Sequence, residues 1–286
     1  MNTQEILTQH GLDFNVSKRP LFDADLNPTE YFGLFNDKLG KCINTVKAGY
    51  QVSQNKDIVD HIMKGVKPFD ATLKVQKAGA INEGRKVFLQ LAIEGDAIMG
   101  NDRIKRYITV IDSNDGSSGL GVGVGDLTMS CQNQFFKFYK AAQFRMRHTA
   151  GLEERMQEIP TLIEGCLTES YKRMEVYRHL AETSIHSDIA HKFVKEMLGY
   201  DRVTDADLLK DMHPRTKKTM DTLYDCLDVE MKSKGETAWG LHSGLTRFTT
   251  HHKPTRKREN ADVEALMFGS VYNMNQKSLD FAMALS

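Results

Sequence analysis

The spacing of hydrophobic residues changes along the chain, from the alternation typical of β-strands before Gln134 to the spacing typical of helices after it. In one run Val87 and Leu89 share a face, while Phe88 makes the opposite face apolar as well. Three such runs, each bounded by glycine, asparagine or aspartate, are predicted as successive antiparallel strands: 72–78, 86–94 and 104–112. Because this sheet is apolar on both faces, we expect helices to cover it.

Shorter elements are predicted before these strands. Residues 1–30 are rich in polar residues and prolines and are interpreted as an irregular arm. Lys41–Lys47 and 50–53 are predicted to form a hairpin, and 56–64 has the spacing of a helix.

After the strands, 116–125 is predicted as a glycine-rich connection and 127–131 as one more short strand. From Gln134 to about Leu198 the spacing is helical, with Gly199 ending the last helix. The predicted fold is therefore α+β, with a small antiparallel sheet (a hairpin plus three or four strands) packed by long helices.

The C-terminal part differs in composition from the rest. Residues 31–200 are predicted as the α+β core domain and 201–286 as a helical C-terminal region. Within it, 242–260 is interpreted as a basic loop and 263–283 as a closing helix.

Charge and cysteine content limit the functions that this chain can have. Its 38 basic and 38 acidic residues give a net charge of zero, which argues against a generally basic nucleic-acid coat and leaves only local basic patches. The four cysteines form no CxxC pair, and the start of the chain lacks the layout of a secretory signal. No stretch approaches the roughly 18 apolar residues of a membrane span. We expect a cytoplasmic protein without contact to a membrane.

The first candidate site is the loop at 110–119, which contains the string DSNDGSSG. Backbone N–H groups and hydroxyls of Asp115, Gly116, Ser117 and Ser118 are candidates to contact a phosphate. Asp112 and Asp115 are candidate metal ligands, although the spacing is that of neither a P-loop nor an EF-hand. The alternative is a tight turn between strands, which Asn-Asp-Gly favours.

The second candidate follows Cys131, where no acidic residue occurs between Leu127 and Leu152. On a helix, one face would carry a basic stripe with an aromatic residue, made of Lys137, Lys140, Phe144 and Arg147. Arg145 and His148 are adjacent candidates for contact with nucleic acid. The alternative is a solvated basic face with Phe144 turned inward. Pairing of Cys131 with His148 as nucleophile and base has no local support, since a buried cysteine at a strand end is commoner.

Two further basic stretches are candidates for nucleic-acid binding. At the start of the strand predicted for 104–112, alternation places Arg103, Lys105 and Tyr107 on one face, opposite Ile104, Arg106 and Ile108. Charges that deter pairing at a strand end are the alternative there. The C-terminal run RFTTHHKPTRKR contributes Arg256, Lys257 and Arg258, as either a phosphate-binding or a merely solvated loop. Its histidines lack the spacing of zinc ligands, so neither a metal nor a cofactor is predicted.

One resemblance rests on the strings DSNDGSSG, SCQNQFF and FRMRHT with LEER behind them, over roughly residues 31–200. In this order they resemble the phage/plasmid-like protein family known as domain of unknown function 932. The resemblance implies a gene of a phage, prophage or plasmid and a cytoplasmic location, but no established active site. Many members have an arginine just before the cysteine, where this chain has Thr128, Met129 and Ser130, so no role of that arginine is carried over.

The predicted order of hairpin, helix, three strands and helix is also similar to that of phage single-strand annealing proteins, which assemble as rings or filaments. Our leading hypothesis is a homo-oligomer that binds and anneals single-stranded DNA. The first alternative is a phage protein that binds a host protein without enzymatic activity. A third hypothesis is an enzyme, either a nuclease or a phosphate-transfer catalyst, that uses Asp112 and Asp115.

Overall fold

The computed structural model describes residues 2–69, 72–99, 102–128, 132–138, 146–210, 212–253 and 260–285. Within these ranges a three-stranded and a five-stranded antiparallel sheet are packed by helices, and helices make up the C-terminal part. The predicted α+β class is confirmed. No helix in the described part of the chain combines the length and the apolar character that crossing a bilayer requires.

The N-terminal segment is ordered, contrary to the irregular arm predicted for 1–30. Helix α1 (Thr3–Gln9) begins with a capping box in which Asn2 and Glu5 exchange hydrogen bonds. Ile6, Leu12 and Phe14 are buried in the main hydrophobic cluster. The apolar residues that anchor this segment are few and irregularly spaced, which is why local patterning missed them.

The smaller sheet has the order β1-β2-β3 and consists of β1 (Val16–Phe22), β2 (Pro28–Asn36) and β3 (Lys41–Lys47). Strand β3 therefore pairs with β2. The predicted pairing of Lys41–Lys47 with residues 50–53 is wrong, because Gln51 N–H bonds instead to the carbonyl of His148. Helix α2 (Asn55–Val66) follows and confirms the helix predicted at 56–64.

The larger sheet runs β4-β5-β6-β7-β8 in chain order. Its strands are β4 (Leu73–Ile81), β5 (Lys86–Met99), β6 (Asp102–Ser113), β7 (Gly121–Thr128) and β8 (Gln134–Phe138). The three predicted antiparallel strands are confirmed as β4, β5 and β6. The predicted glycine-rich connection at 116–125 is wrong beyond residue 120, since Gly121, Gly123 and Gly125 belong to β7.

The larger sheet has two faces of different character. The inner face, with Leu89, Leu91 and Val110, packs in one cluster with residues of α2 and of α4. The other side, which we call the outer face, packs at one end against the helix that begins at Ala261. There Phe88 and Phe136 contact Val263 and Met267. Helices on both sides account for the apolar character of both faces.

The rest of the chain is mainly helical. The helices are α3 (Leu152–Met156), α4 (Ile159–Glu182), α5 (Ser187–Leu198), α6 (Asp205–Lys210), α7 (Pro214–Lys234), α8 (Ala238–Arg247), α9 (Ala261–Met267) and α10 (Gly269–Met283). Gly199 ends α5 with φ of 80°, as predicted.

The basic loop predicted at 242–260 is wrong for its first half. Helix α8 continues to Arg247, and Phe248–His252 forms a π-helical turn. His242 is buried, with Nδ1 3.0 Å from Ser278 Oγ, and burial lowers its pKa to about 3. This segment packs because Leu241, Leu245 and Phe248 are apolar at helical spacing.

Candidate nucleic-acid interface

Strand β6 presents its basic residues and a tyrosine on the outer face of the sheet. Arg103 and Lys105 are exposed and Tyr107 is half-buried, whereas Ile104 and Arg106 are buried on the inner face. The pairing places Tyr107 between Ala92 of β5 and Gly125 of β7. The separation of the two faces that strand alternation predicted is therefore present.

Two more lysines lie on this face, from strand β4. Lys77 pairs with Gln90, and its Nζ lies 5.8 Å from the centre of the Phe88 ring. Lys74 is 2.9 Å from Glu94. Arg103, Lys105 and Lys77 form no ion pair within the described ranges, so their charges are available to an anionic ligand.

The glycines of β7 allow an aromatic ring to lie against the sheet. A Cβ atom at Gly123 would collide with the Phe136 ring and stand 2.7 Å from the carbonyl oxygen of Lys137. At Gly125 the nearest atom would be the Phe135 carbonyl oxygen, at 3.3 Å. Glycine at position 123 is therefore required for β8 to approach β7 as closely as it does.

A cleft of about 270 Å³ opens on the outer face, between the strands and α9. Its lining combines an aromatic ring, side-chain amides, a cation and apolar side chains. The lining includes Gln76, Lys77, Gln90, Tyr107, Gly125, Leu127, Gln134, Phe136, Asp262, Val263 and Leu266. Burial, and secondarily the charge of Asp96, raises the pKa of Tyr107, so its hydroxyl stays protonated at neutral pH.

The basic helical stripe predicted after Cys131 is wrong where the structure describes it. Residues 134–138 form strand β8, and Lys137 pairs with Val124 on the inner face, opposite to Tyr107. Arg147 is exposed but lies beyond the sheet, next to the bridge between Leu120 and Met146. Cys131, Lys140, Phe144 and Arg145 lie outside the described residues. Pairing with β7 has overridden the local helical spacing.

His148 is not on the surface, so its predicted contact with nucleic acid is wrong. Its Nε2 lies 2.8 Å from Asp112 Oδ1, and Ser53 Oγ donates to the other oxygen of Asp112 over 2.5 Å. The Tyr50 ring stacks on the imidazole, with centroids 4.8 Å apart. The imidazole and the Ser53 hydroxyl both bond to the Asp112 carboxylate inside the protein, so Asp112 rather than the histidine stands in the middle. The arrangement is that of a structural link and not of a nucleophile with its base.

The loop DSNDGSSG is a tight turn, and the carboxylate of Asp115 within it is bound by other groups of the protein. Asp115 accepts hydrogen bonds from Ser113 Oγ and Ser117 N, and its Oδ2 lies 3.0 Å from Lys86 Nζ. Although burial opposes the shift, these contacts lower the pKa of Asp115 to about 2. Lys86 also contacts Glu264, at 2.9 Å, and Gly116 adopts φ of 75°. These contacts favour the turn over the phosphate contact that we considered for Asp115, Gly116, Ser117 and Ser118.

Metal ligation by Asp112 and Asp115 finds no support in this geometry. Each carboxylate is engaged by side chains of the protein itself. Among the described residues, no three histidine, cysteine, aspartate or glutamate side chains are grouped as a metal ion would require.

The residues that meet in this interior lie within the part of the chain that matches a known family. The sequence profile described as "Domain of unknown function (DUF932)" matches residues 42–267, which is more than half of the chain. The chain belongs to this family. No curated protein and no solved structure matches it.

The family match covers the whole outer face of the larger sheet, but not α1, β1 or β2.

Sequence reasoning identified Arg103, Lys105 and Tyr107 but missed the cleft beside them. The missed residues are Lys77, Gln90 and Gln134. Alternation in β5 would have placed Gln90 on the face opposite to Leu89 and Leu91. Alternation in β4 would have placed Lys77 on the side of Val75, and only the register shift between Val75 and Lys77 brings it beside Gln90. Arg256, Lys257 and Arg258 lie outside the described residues.

Proposed function

We propose that this chain binds single-stranded DNA across the outer face of its larger sheet and promotes annealing. The observation that carries the proposal is the exposure of Arg103 and Lys105, both without an ion pair in the described part of the chain, next to Tyr107. Cations that track a backbone, combined with aromatic rings on which bases stack, are what single-strand binding requires. Neither nucleotide hydrolysis nor a metal ion is needed for this activity.

The outer face offers a local basic patch in a chain whose net charge is zero. Within the ranges that the structure describes, Lys77, Arg103 and Lys105 are three cations without an ion pair, while Glu94 on the same side is neutralised by Lys74. Asp96 acts electrostatically on Tyr107, and the cleft is lined by Asp262 and by Asp126, which is paired with Arg173. We therefore expect the affinity for a single strand to be moderate and to fall steeply as the salt concentration rises.

The test is fluorescence anisotropy of a labelled single strand of about 30 nucleotides, at low and at moderate salt. We expect the double variant Arg103→Glu/Lys105→Glu to lose binding and strand annealing. The matched control is Lys172→Glu/Arg178→Glu, which makes the same charge change on exposed positions of α4, on the other side of the sheet. Equal binding by the two double variants would contradict the proposed interface, and no binding by the unaltered chain would contradict the function.

We also propose that the active form is a homo-oligomer, because annealing requires two strands to be held side by side. Strands β4 and β8 end the larger sheet, so each has one edge on which the described part of the chain adds no strand. Sedimentation of the purified chain with and without a single strand tests this. A monomer under both conditions would contradict it.

A second candidate function is favoured by the tip of the β1–β2 hairpin. Phe22 and Leu26 are 56% and 80% exposed there, and Tyr31 is exposed nearby. Apolar side chains on a protruding hairpin suit a protein partner, such as a host factor during phage growth. Leu26→Glu would abolish binding to that partner without changing the salt dependence of DNA binding, which separates the two functions.

A further inference from the structure

The cleft on the outer face has the chemistry of a site for a small flat ligand with polar edges. Its volume of about 270 Å³ is just below the range of pockets for drug-sized ligands, which starts at about 300 Å³. Tyr107 supplies an aromatic ring, and Leu127 and Val263 supply apolar surface. One ring system therefore fits better than an extended peptide.

The polar groups of the cleft point to what the ligand must offer. Gln76, Gln90 and Gln134 each contribute a side-chain amide, and none of the three hydrogen-bonds within the described ranges. The hydroxyl of Tyr107 likewise has no partner there. An amide donates through its nitrogen and accepts through its oxygen. Three of them beside a half-buried ring match the mixed donor and acceptor edge of a nucleobase.

We propose that this cleft holds one unpaired nucleobase of a bound strand, with Lys77 beside it contacting a phosphate. This inference rests on the proposed function, because it assigns a role to the same outer face. A base inside a duplex is stacked and paired, so only an unpaired base can enter the cleft. The cleft thereby gives the protein a preference for single strands that the cations Arg103 and Lys105 alone would not give.

The test compares a DNA strand with a strand of the same length in which every base is replaced by an abasic site. Gln90→Leu/Gln134→Leu removes two amides while leaving the cations in place. We expect this variant to bind the base-bearing strand about tenfold more weakly, a loss of about 1.4 kcal/mol, and to bind the abasic strand as the unaltered chain does. Because neither side-chain amide forms a hydrogen bond inside the described part of the chain, we expect the thermal unfolding midpoint to be unchanged.

A matched control places the same substitution outside the cleft. Gln4→Leu alters an exposed glutamine of α1, and it should change neither affinity. A free nucleoside monophosphate serves as competitor, and we expect it to displace the strand only weakly. If the monophosphate competed as strongly as unlabelled strand at an equal concentration of nucleotides, the cleft would be a site for free nucleotides. That result would overturn the assignment to a strand.

The outcomes separate this inference from the proposed function. Equal binding of base-bearing and abasic strands by the unaltered chain would overturn the base site while the interface for DNA stands. Equal loss of both affinities in Gln90→Leu/Gln134→Leu, with an unchanged unfolding midpoint, would overturn it as well. Absence of binding to any strand would overturn both proposals.

Discussion

The imidazole of His148 is held between two acceptors: Nε2 lies 2.8 Å from Asp112 Oδ1, and Nδ1 lies 3.0 Å from the carbonyl oxygen of Gln51. Both ring nitrogens can donate only when the imidazole is protonated. The contact joins two sequence motifs that lie 36 residues apart. It gives Asp112 of the string DSNDGSSG and His148 of the string FRMRHT a shared structural contact inside the protein.

This pair should make stability depend on pH. Burial lowers the pKa of His148, but the hydrogen bond and the charge of Asp112 outweigh it, so the folded pKa is raised. Stability from a raised pKa is fully present below the unfolded value of about 6.5 and is lost as pH rises through the folded pKa. We expect His148→Gln to lower the free energy of unfolding by about 3 kcal/mol near pH 6, and by less near pH 9.

Urea denaturation followed by the fluorescence of Trp239, the single tryptophan, measures this effect. His179→Gln is the control, because His179 is an exposed histidine of α4. An equal loss of unfolding free energy in His148→Gln at both pH values would show that the imidazole contributes only as a neutral group.

The glycines of β7 should differ in their tolerance of a side chain. A Cβ at Gly123 meets the Phe136 ring and the Lys137 carbonyl oxygen, which is backbone and cannot swing away. We expect Gly123→Ala to cost about 1–3 kcal/mol. Gly125→Ala, whose nearest contact would be 3.3 Å, should cost less than about 1 kcal/mol. Thermal denaturation of the two variants checks this, and similar midpoints would mean that β8 moves freely relative to β7.

Replacing one cation of the outer face by an uncharged residue should show whether that cation contacts a phosphate. Each cation that releases a counterion from a single strand contributes about −0.7 to the slope of log affinity against log salt. We expect Arg103→Gln to reduce the steepness of that slope by about 0.7, whereas Arg178→Gln on α4 should leave it unchanged. Anisotropy at four or more salt concentrations gives the slope. A slope unchanged by Arg103→Gln would remove this residue from the interface.

The sequence was informative wherever neighbouring residues decide the structure. Strict alternation in 86–94 predicted β5, and alternation from Arg103 to Ile108 predicted which side chains of β6 are exposed. The spacing of Ile58 and Ile62 predicted α2 in the same way.

The predictions were wrong where residues distant in the sequence decide the structure. Gly121, Gly123 and Gly125 have the period of a strand, yet glycine carries no side chain that would show which face is buried. What makes them a strand is pairing with β6 and β8, and the Phe136 ring occupies the space left by Gly123 and Gly125. Likewise, the helical spacing after Gln134 is overridden by pairing between β7 and β8. Contacts of this kind between distant segments leave no pattern in the spacing of neighbouring residues.

The helical C-terminal region should be needed for the sheet to fold, although composition suggested a boundary near residue 200. Ile104 and Phe135 of the sheet share a cluster with Trp239 and Leu279, and Phe88 shares another with Met267. A buried ion pair joins Lys234 Nζ to Asp102 Oδ2 over 2.8 Å. A chain that ends at residue 200 would expose both clusters and leave Asp102 without this lysine.

We therefore expect the fragment 1–200 to bind hydrophobic dyes and to unfold without a cooperative transition. Co-expression with 201–286 as a separate chain should restore cooperative unfolding, because the two fragments then rebuild both clusters. A sharp thermal transition of 1–200 alone would show instead that the sheet, α2 and α4 form an independent folding unit. In that case the contacts of Trp239 and Met267 with the sheet would be a docking interface between two domains and not part of a shared core.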